Sequence, residues 1–572
     1  MDSHGDPPRR ELIVLPTARL IAPELQAELG PLPPALLPLD GTPAYRHILE
    51  ALDRPEADVV LAAHQGAGLL AEHLARFEHP RVRLVDVGPT ESLAATVLAA
   101  LDAVDPDGYD RLIVNFADTI VGDLPPEGDA ICFRRQRDVY RWTTFEHTED
   151  GHIGAVVDKG VAKPDPRQRC VMVGVFAIAD VPAFVTELGR AIAHASDGME
   201  PLFEAVAAYA NRRGAGPALF ETRVWHDFGH LDTYYQARQR FYLNKRFFND
   251  VEVDTTRGVI RKTSADHAKL AREISWYLEL PRDLAHLAPR VLAHSLEGPA
   301  TFVELEFYGY PPLAEAYLHG NWDPGLWAQA FDALGELVAR MRGHTLDVPA
   351  ETRAAALAEM YEAKTEERCR PLLDDPAFAP LAGERAEING RAGLGLAGVL
   401  RVLPALAEAT GLHDRDRLSV IHGDLCLSNI LFDRRNAIVR LVDPRGSFGP
   451  FGLYGDPLYD LAKLAHSIHG DYDHMLHGQF DLEPTTKGVT LSAHVTERQD
   501  LVKAQFAPWL AAQAGPDLDK VTLIEGLLFT SMVPLHADRP RSQLAFLARG
   551  LELLSGVAVK AGLDLDRVTV AA

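Results

Sequence analysis

Residues 422–429 read His-Gly-Asp-Leu-Cys-Leu-Ser-Asn, the spacing H-x-D-x-x-x-x-N. Fourteen residues after the Asn comes Asp443, in Leu441-Val-Asp-Pro-Arg445. Phosphoryl transfer from ATP asks little of a protein. One carboxylate orients and deprotonates the attacking hydroxyl, and a neutral oxygen and a second carboxylate hold magnesium across the phosphates. A loop between two short strands presents Asp424 and Asn429 on one side, and the next strand delivers Asp443 opposite them. Upstream, Lys262 ends an extended run, Val259-Ile-Arg-Lys-Thr-Ser264, and Glu273 follows in a helical stretch, Ala271-Arg-Glu-Ile-Ser-Trp276. A strand Lys paired with a helix Glu is the arrangement that steadies the α- and β-phosphates. Asp460, in Gly455-Asp-Pro-Leu-Tyr-Asp-Leu-Ala-Lys463, is placed to hydrogen-bond the loop.

The elements that must position these groups follow from patterning. Residues 247–253 and 258–262 are extended runs around a turn, a β-hairpin with a multi-residue loop. Residues 265–278 have helical spacing, and 301–307 form another strand. From residue 311 the chain reads as mostly helical, interrupted by strand-like runs at 418–421, 430–432 and 437–442, and the tail from 485 reads as helix. In front of all this, short apolar runs at 11–16, 58–62, 82–86 and 111–115 alternate with helical stretches such as 43–52 and 90–104. That alternation predicts a parallel sheet covered on both faces. Two more β-like segments lie at 154–158 and 171–178.

The residues from about 238 to 470 resemble the aminoglycoside phosphotransferase and choline/ethanolamine kinase family. The resemblance implies Asp424 as catalytic base, Asn429 and Asp443 as magnesium ligands, and Lys262 with its partner Glu273 on the phosphates of ATP. It also implies an adenine-binding hinge in the backbone around Glu306–Gly309. Pro444-Arg445 stands where protein kinases carry Phe-Gly, which argues against an activation-loop switch.

The front region, about 10–240, carries Asp86-Val-Gly-Pro-Thr-Glu-Ser, Asn115-Phe-Ala-Asp-Thr119 and Trp225-His-Asp-Phe-Gly-His230. These resemble the sugar-phosphate nucleotidyltransferases, an α/β (Rossmann-like) fold shared with A-type glycosyltransferases. The resemblance implies Asp118 and Asp227 as metal ligands, with the Gly88-Pro-Thr90 turn near a nucleotide base and Arg19 on the triphosphate. Lys159 and Lys163 are further phosphate-contacting candidates. Two departures stand out. No glycine occurs between Pro16 and Gly30, where the family has a glycine-rich loop. Pro34, in Pro33-Pro-Ala-Leu-Leu37, replaces the family's Lys, and proline offers neither charge nor an N–H donor. Taken as structure alone, Asp118 reads as a turn residue and Asp227 as a helix N-cap.

Composition bounds the rest. The chain has 572 residues and a formal net charge of −24, with 47% hydrophobic and 24% charged residues. A field of that sign repels phosphate backbones, so neither nucleic acid nor anionic membrane is an expected partner. Cys132, Cys170, Cys369 and Cys426 form no CxxC pair, which favours a reducing cytoplasm over a disulfide or zinc framework. Cys426 has no basic neighbour in sequence and reads as packing. No secretory signal and no apolar run of bilayer length is visible. The expected architecture is a nucleotidyltransferase-like α/β domain over 1–236, a kinase-like N-lobe over 237–310, and a helical C-lobe over 311–572, two-lobed and α+β. Such a fusion implies a bifunctional enzyme. It would phosphorylate a hydroxyl of a sugar, polyol or amino-alcohol with ATP and Mg²⁺, then activate the product with a second NTP (CTP, GTP or UTP) for surface polysaccharide. The alternatives are an active kinase with a front domain that only binds nucleotide or sugar, and a double pseudoenzyme scaffold.

Overall fold

A computed structural model describes residues 10–39, 41–76, 80–137, 139–148, 151–159, 170–195, 198–212, 219–242, 249–254 and 257–563. The backbone divides into two compact units, Met1–Tyr242 and Leu243–Ala572.

The front unit is built on one large sheet. Its strands are β1 (Glu11–Thr17), β2 (Asp58–Ala63), β3 (Val82–Asp86), β4 (Arg111–Asn115), β5 (Ala130–Arg135), β6 (Thr144–His147), β7 (Ile153–Val157), β8 (Cys170–Ile178) and β9 (Leu219–Glu221). The main path runs β7-β6-β8-β4-β1-β2-β3, with β5 pairing β8 and β9 pairing β5. Strand β1 lies parallel to both β2 and β4, with Leu12 opposite Asp58 and Leu112. Its near-continuous apolar run is what a strand buried on both faces requires. Ile13 and Leu15 enter one core, and Leu12 and Val14 enter the other, as the period of two dictates.

The four runs expected to form a parallel sheet do so, and the later strands join that sheet through β8, in antiparallel. β8 runs antiparallel to β4, β5 and β6. Among the described residues no helix separates β4 from β8, and the usual parallel crossover is helical. Strands β5 and β6 were not legible as separate runs.

The second unit opens with an antiparallel sheet of β10 (Asn249–Asp254), β11 (Val259–Ser264), β12 (Val291–Ser295) and β13 (Phe302–Glu306), in the order β10-β11-β13-β12. Residues 247 and 248 of the expected hairpin lie outside the described residues. Lys262 does not end its strand. It sits mid-ladder, opposite Val251 and Val303. The helix His267–Glu279, N-capped by Asp266, packs beside this sheet.

The remainder is mainly helical around one apolar core. It also holds a second four-stranded sheet, Arg391–Leu394, Arg385–Ile388, Gly488–Ala493 and Phe480–Pro484 in that order, where helix was expected from 485. Three helices close the unit, Glu497–Ala514, Leu518–Ser531 and Pro540–Lys560. The last is long and apolar enough, by length and composition, to cross a membrane, though charged and polar residues interrupt its apolar run. In this fold it lies in the core, with Ala545, Phe546, Leu547, Leu551 and Leu554 fully buried. All four cysteines are free and buried.

Candidate active sites

In the second unit the catalytic-loop candidates come together as expected. Strand Leu418–Val420 leads into the loop, and the hairpin Ile430–Asp433/Ile438–Leu441 follows it, with Ile430 opposite Leu441. That pairing returns the chain to the loop, so Val442 donates its N–H to the Asn429 carbonyl at 3.0 Å and Asp443 arrives beside it. Helix Pro457–Ile468 fixes the loop from below. The Asp460 carboxylate accepts the N–H groups of His422 and Gly423 at 2.7 and 2.8 Å. Burial pushes the Asp460 carboxyl up to about 7, against those two hydrogen bonds.

His422 is buried, and desolvation holds its imidazole down to about 4. The neutral ring donates from Nε2 to the Val442 carbonyl at 3.1 Å, which ties the loop to the segment carrying Asp443.

Lys262 Nζ lies 2.7 Å from each Glu273 oxygen and 3.0 Å from Asp443 Oδ1. The expected strand–helix pair is therefore formed, and the same ammonium reaches the magnesium-ligand candidate. Asn429 donates Nδ2 to the Asp424 carbonyl at 2.9 Å and to Asp424 Oδ2 at 3.2 Å. Its amide oxygen is thus the face left to a cation. Asp443 has φ +54°, a left-handed conformation that Asp tolerates better than most residues. Its N–H donates to the Tyr277 hydroxyl at 3.1 Å.

Lys463, which the sequence reading quoted without assigning a role, proves to touch the site. Its Nζ stands 2.9 Å from Asp424 Oδ1. Burial raises the Asp424 carboxyl, but the Lys463 ammonium and its hydrogen bond outweigh this and bring it below the ordinary value. Cys426 beside it is pushed up to about 12, by burial first and then by Asp424. It is a packing thiol, not a nucleophile.

Glu306 donates its N–H to the Arg290 carbonyl, and Phe307 donates to Gly258. The Glu306 carboxylate accepts from the Tyr308 hydroxyl at 3.1 Å. Within the expected hinge stretch, Tyr308 and Gly309 follow these two bonded N–H groups. Glu362 and Glu366, acidic residues of the helical half, are engaged locally. Glu362 lies 2.6 Å from His413 Nε2, and Glu366 pairs with Arg370.

In the front unit a cleft of about 920 Å³ is lined by Arg19, Pro34, Asp118, Lys159, Asp227 and others. A two-strand ladder builds its floor. Thr119–Val121 pairs antiparallel with Trp225–Asp227, with Asp227 opposite Thr119, and so brings Asp118 and Asp227 together across more than a hundred residues. Phe228 donates its N–H to the Asp118 carbonyl at 3.0 Å. A Cβ at Gly229 would stand 2.5 Å from Asp118 Oδ2, so only glycine lets the carboxylate pack here.

Asp118 is raised to about 6, by burial first and then by the charge on Asp227. Asp227 is raised by burial, against the hydrogen bond from Trp142. Two partly buried carboxylates that repel each other suit a divalent cation, whose charge would remove the repulsion.

Asp227 Oδ1 also accepts from the Gly229 N–H at 3.2 Å and the Thr233 hydroxyl at 3.4 Å, so it organises the approach to the helix Leu231–Tyr242 as well. Trp142 Nε1 donates to Asp227 Oδ2 at 3.1 Å, and the Trp142 ring packs edge-on to Trp225 at 5.2 Å. Trp142 carried no sequence signal. Arg19 is exposed at the cleft and donates to the Glu91 carbonyl at 2.7 Å. The Gly88 turn is held by Asp86 Oδ1, which accepts the Gly88 N–H at 3.0 Å. Lys163 lies outside the described residues.

Residues 243–483 match the phosphotransferase enzyme family (APH), and that segment is an APH-type phosphotransferase domain. Among solved structures, HddC from Yersinia pseudotuberculosis, complexed with GMP-PN, is 16% identical. The match covers 41% of this chain and 99% of that one, with a TM-score of 0.29. The CTP:phosphocholine cytidylyltransferase LicC from Streptococcus pneumoniae is 13% identical, with 41% and 99% covered and a TM-score of 0.31. No curated protein matches the chain.

Proposed function

We propose that the second unit is an active ATP-dependent kinase for the hydroxyl of a small molecule (a sugar, polyol or amino-alcohol), and that the front unit activates the phosphorylated product as a nucleotide derivative for surface polysaccharide. The observation that carries the kinase reading is the unbroken chain of contacts Glu273–Lys262–Asp443 beside Asn429 and Asp424. Mg²⁺ would be held by Asp443 and the Asn429 amide oxygen, and when bound it neutralises charge on the phosphates of ATP. Lys262, steadied by Glu273, holds the α- and β-phosphates. Asp424 orients the acceptor hydroxyl. As the hydroxyl oxygen bonds to the γ-phosphorus and the bond to the β–γ bridging oxygen breaks, ADP leaves and the proton passes to Asp424. In the front unit Asp118 and Asp227 would hold a second Mg²⁺ where nucleotide and sugar phosphate meet.

The test is ADP release with MgATP over a panel of sugars, polyols and amino-alcohols, then mass spectrometry with all four NTPs added. Asp424→Asn lowers kcat by about 10²–10⁴-fold, the usual worth of a general base. Full activity in that variant would remove Asp424 from the role. A second reading, in which the front unit binds nucleotide or sugar without transferring it, is favoured by Pro34 in the cleft wall. The absence of any NDP-linked product alongside ADP release would support it.

A further inference from the structure

Three cations gather beside the catalytic loop, none of them held in an ion pair among the described residues. Lys364 and Arg368 stand one turn apart on the helix Lys364–Cys369 and therefore share a face. Arg445 arrives from the segment after Asp443. Its N–H donates to the His422 carbonyl at 3.0 Å. Its Cβ lies 2.8 Å from where a Cβ on Gly423 would be, so it packs directly against the residue preceding Asp424. The guanidinium is aimed rather than loose: Nη1 donates to the Tyr459 hydroxyl at 2.7 Å, and Nη2 reaches Met360 Sδ at 3.8 Å. Met360 is four residues ahead of Lys364. Arg368 donates Nη1 to the Ser531 carbonyl at 3.3 Å.

Among the described residues none of the three is within ion-pair distance of a carboxylate. The acidic neighbours Glu359 and Glu367 are exposed. All three cations are themselves half-buried. Burial, then Arg445 and Arg368, push the Lys364 ammonium down to about 8, and the opposing pull of Glu359 and Glu367 is weaker. Three like charges held close together and half-buried cost stability unless an anion completes them. A single π turn, Glu359–Ala363, directly precedes Lys364, and such turns concentrate at functional sites.

We propose that Lys364, Arg368 and Arg445 form an oxyanion subsite beside Asp424, so that the hydroxyl phosphorylated belongs to a molecule already carrying a phosphate or carboxylate group. This rests on the kinase reading above. The anion in the subsite is unchanged by the reaction: it orients the acceptor while the hydroxyl oxygen takes the γ-phosphoryl group and its proton goes to Asp424. A purely cationic amino-alcohol is then disfavoured as acceptor.

The test uses the full chain saturated with Mg²⁺ and the non-hydrolysable ATP analogue AMP-PNP, with inorganic phosphate as the probe. Lys364 is labelled with limiting acetic anhydride and read by peptide mass spectrometry as phosphate is titrated to about 50 mM. At a phosphate concentration about ten times its Kd, Lys364 labelling falls about tenfold, as occupancy requires. Labelling of the exposed Lys487 stays constant. Arg368→Gln removes the protection while AMP-PNP still raises the thermal midpoint, which shows that this variant is folded. Undiminished Lys364 labelling overturns the subsite. Full protection by AMP-PNP without phosphate assigns the cluster to the nucleotide and also overturns it. A chain with no AMP-PNP binding overturns the kinase reading itself, a result distinct from either.

Discussion

Asp424 is pulled in two directions. Burial favours its neutral acid, and a base is useful only when ionised. Lys463 settles the contest at 2.9 Å. The loop supplies no cation of its own, because residues 425–428 are Leu-Cys-Leu-Ser. With its pKa depressed, Asp424 stays ionised at neutral pH, and activity falls only as pH drops through that low value. Lys463→Met removes the depressing charge and leaves the burial, so the acid limb of the kcat–pH profile moves to higher pH. An unmoved limb would show that Lys463 serves the fold alone. The motif around Asp424 was legible because its chemistry lies within eight consecutive residues. Lys463 was in plain view one turn after Asp460, but its direction depends on how helix Pro457–Ile468 meets the loop, which spacing does not encode. Trp142 at Asp227 and the Lys364–Arg368–Arg445 cluster were hidden for the same reason.

The element that assembles the kinase site is the helix His267–Glu279. Glu273, Trp276 and Tyr277 lie at i, i+3 and i+4, one face of a helix, and all three work toward the catalytic loop. Glu273 holds Lys262, Trp276 Nε1 donates to the Ile421 carbonyl at 2.8 Å, and the Tyr277 hydroxyl accepts the Asp443 N–H. Gly446 makes the close fit. Its φ is +77°, and a Cβ there would stand 2.4 Å from the Arg272 carbonyl carbon and oxygen. Gly446→Ala should therefore cost about 1–3 kcal/mol from backbone conformation alone, before the clash is relieved. It should lower the urea midpoint and reduce ADP release together. Wild-type values for both would mean that the helix is not seated as described. The helix was legible from its helical spacing. The seat was not, because a glycine required by a neighbour's backbone looks in sequence like any loop glycine.

At the scale of the whole molecule, two compact units with separate cores should answer to different ligands. MgATP at about 100 times its Kd stabilises a folded site by about 2.7 kcal/mol. Calorimetry on the full chain should show MgATP raising the transition of the unit that holds Asp443. Mg²⁺ with the preferred second NTP should raise the other, and only while Asp118 and Asp227 are both intact. An NTP shift that survives Asp118→Asn would dissociate binding in the front cleft from its carboxylates. The alternation of strand and helix announced an α/β front because each run there is short and almost wholly apolar. The antiparallel return through β5 and β6 escaped notice, since β5 has only four apolar residues before Arg134-Arg135 and β6 reads Thr-Phe-Glu-His. The small sheet at 385–394 and 480–493 escaped too, because its halves lie some ninety residues apart and pair only in the fold.

The contact of Trp276 with the Ile421 carbonyl has a pharmacological consequence. In regulated protein kinases activation controls the position of the corresponding helix, and a helix that swings out opens a space behind it. Here an indole hydrogen bond and a glycine-tight backbone fit weld that helix to the loop, so no such back pocket opens without breaking both. Compounds against this fold would have to compete from the front, for the space of the nucleotide or of its acceptor.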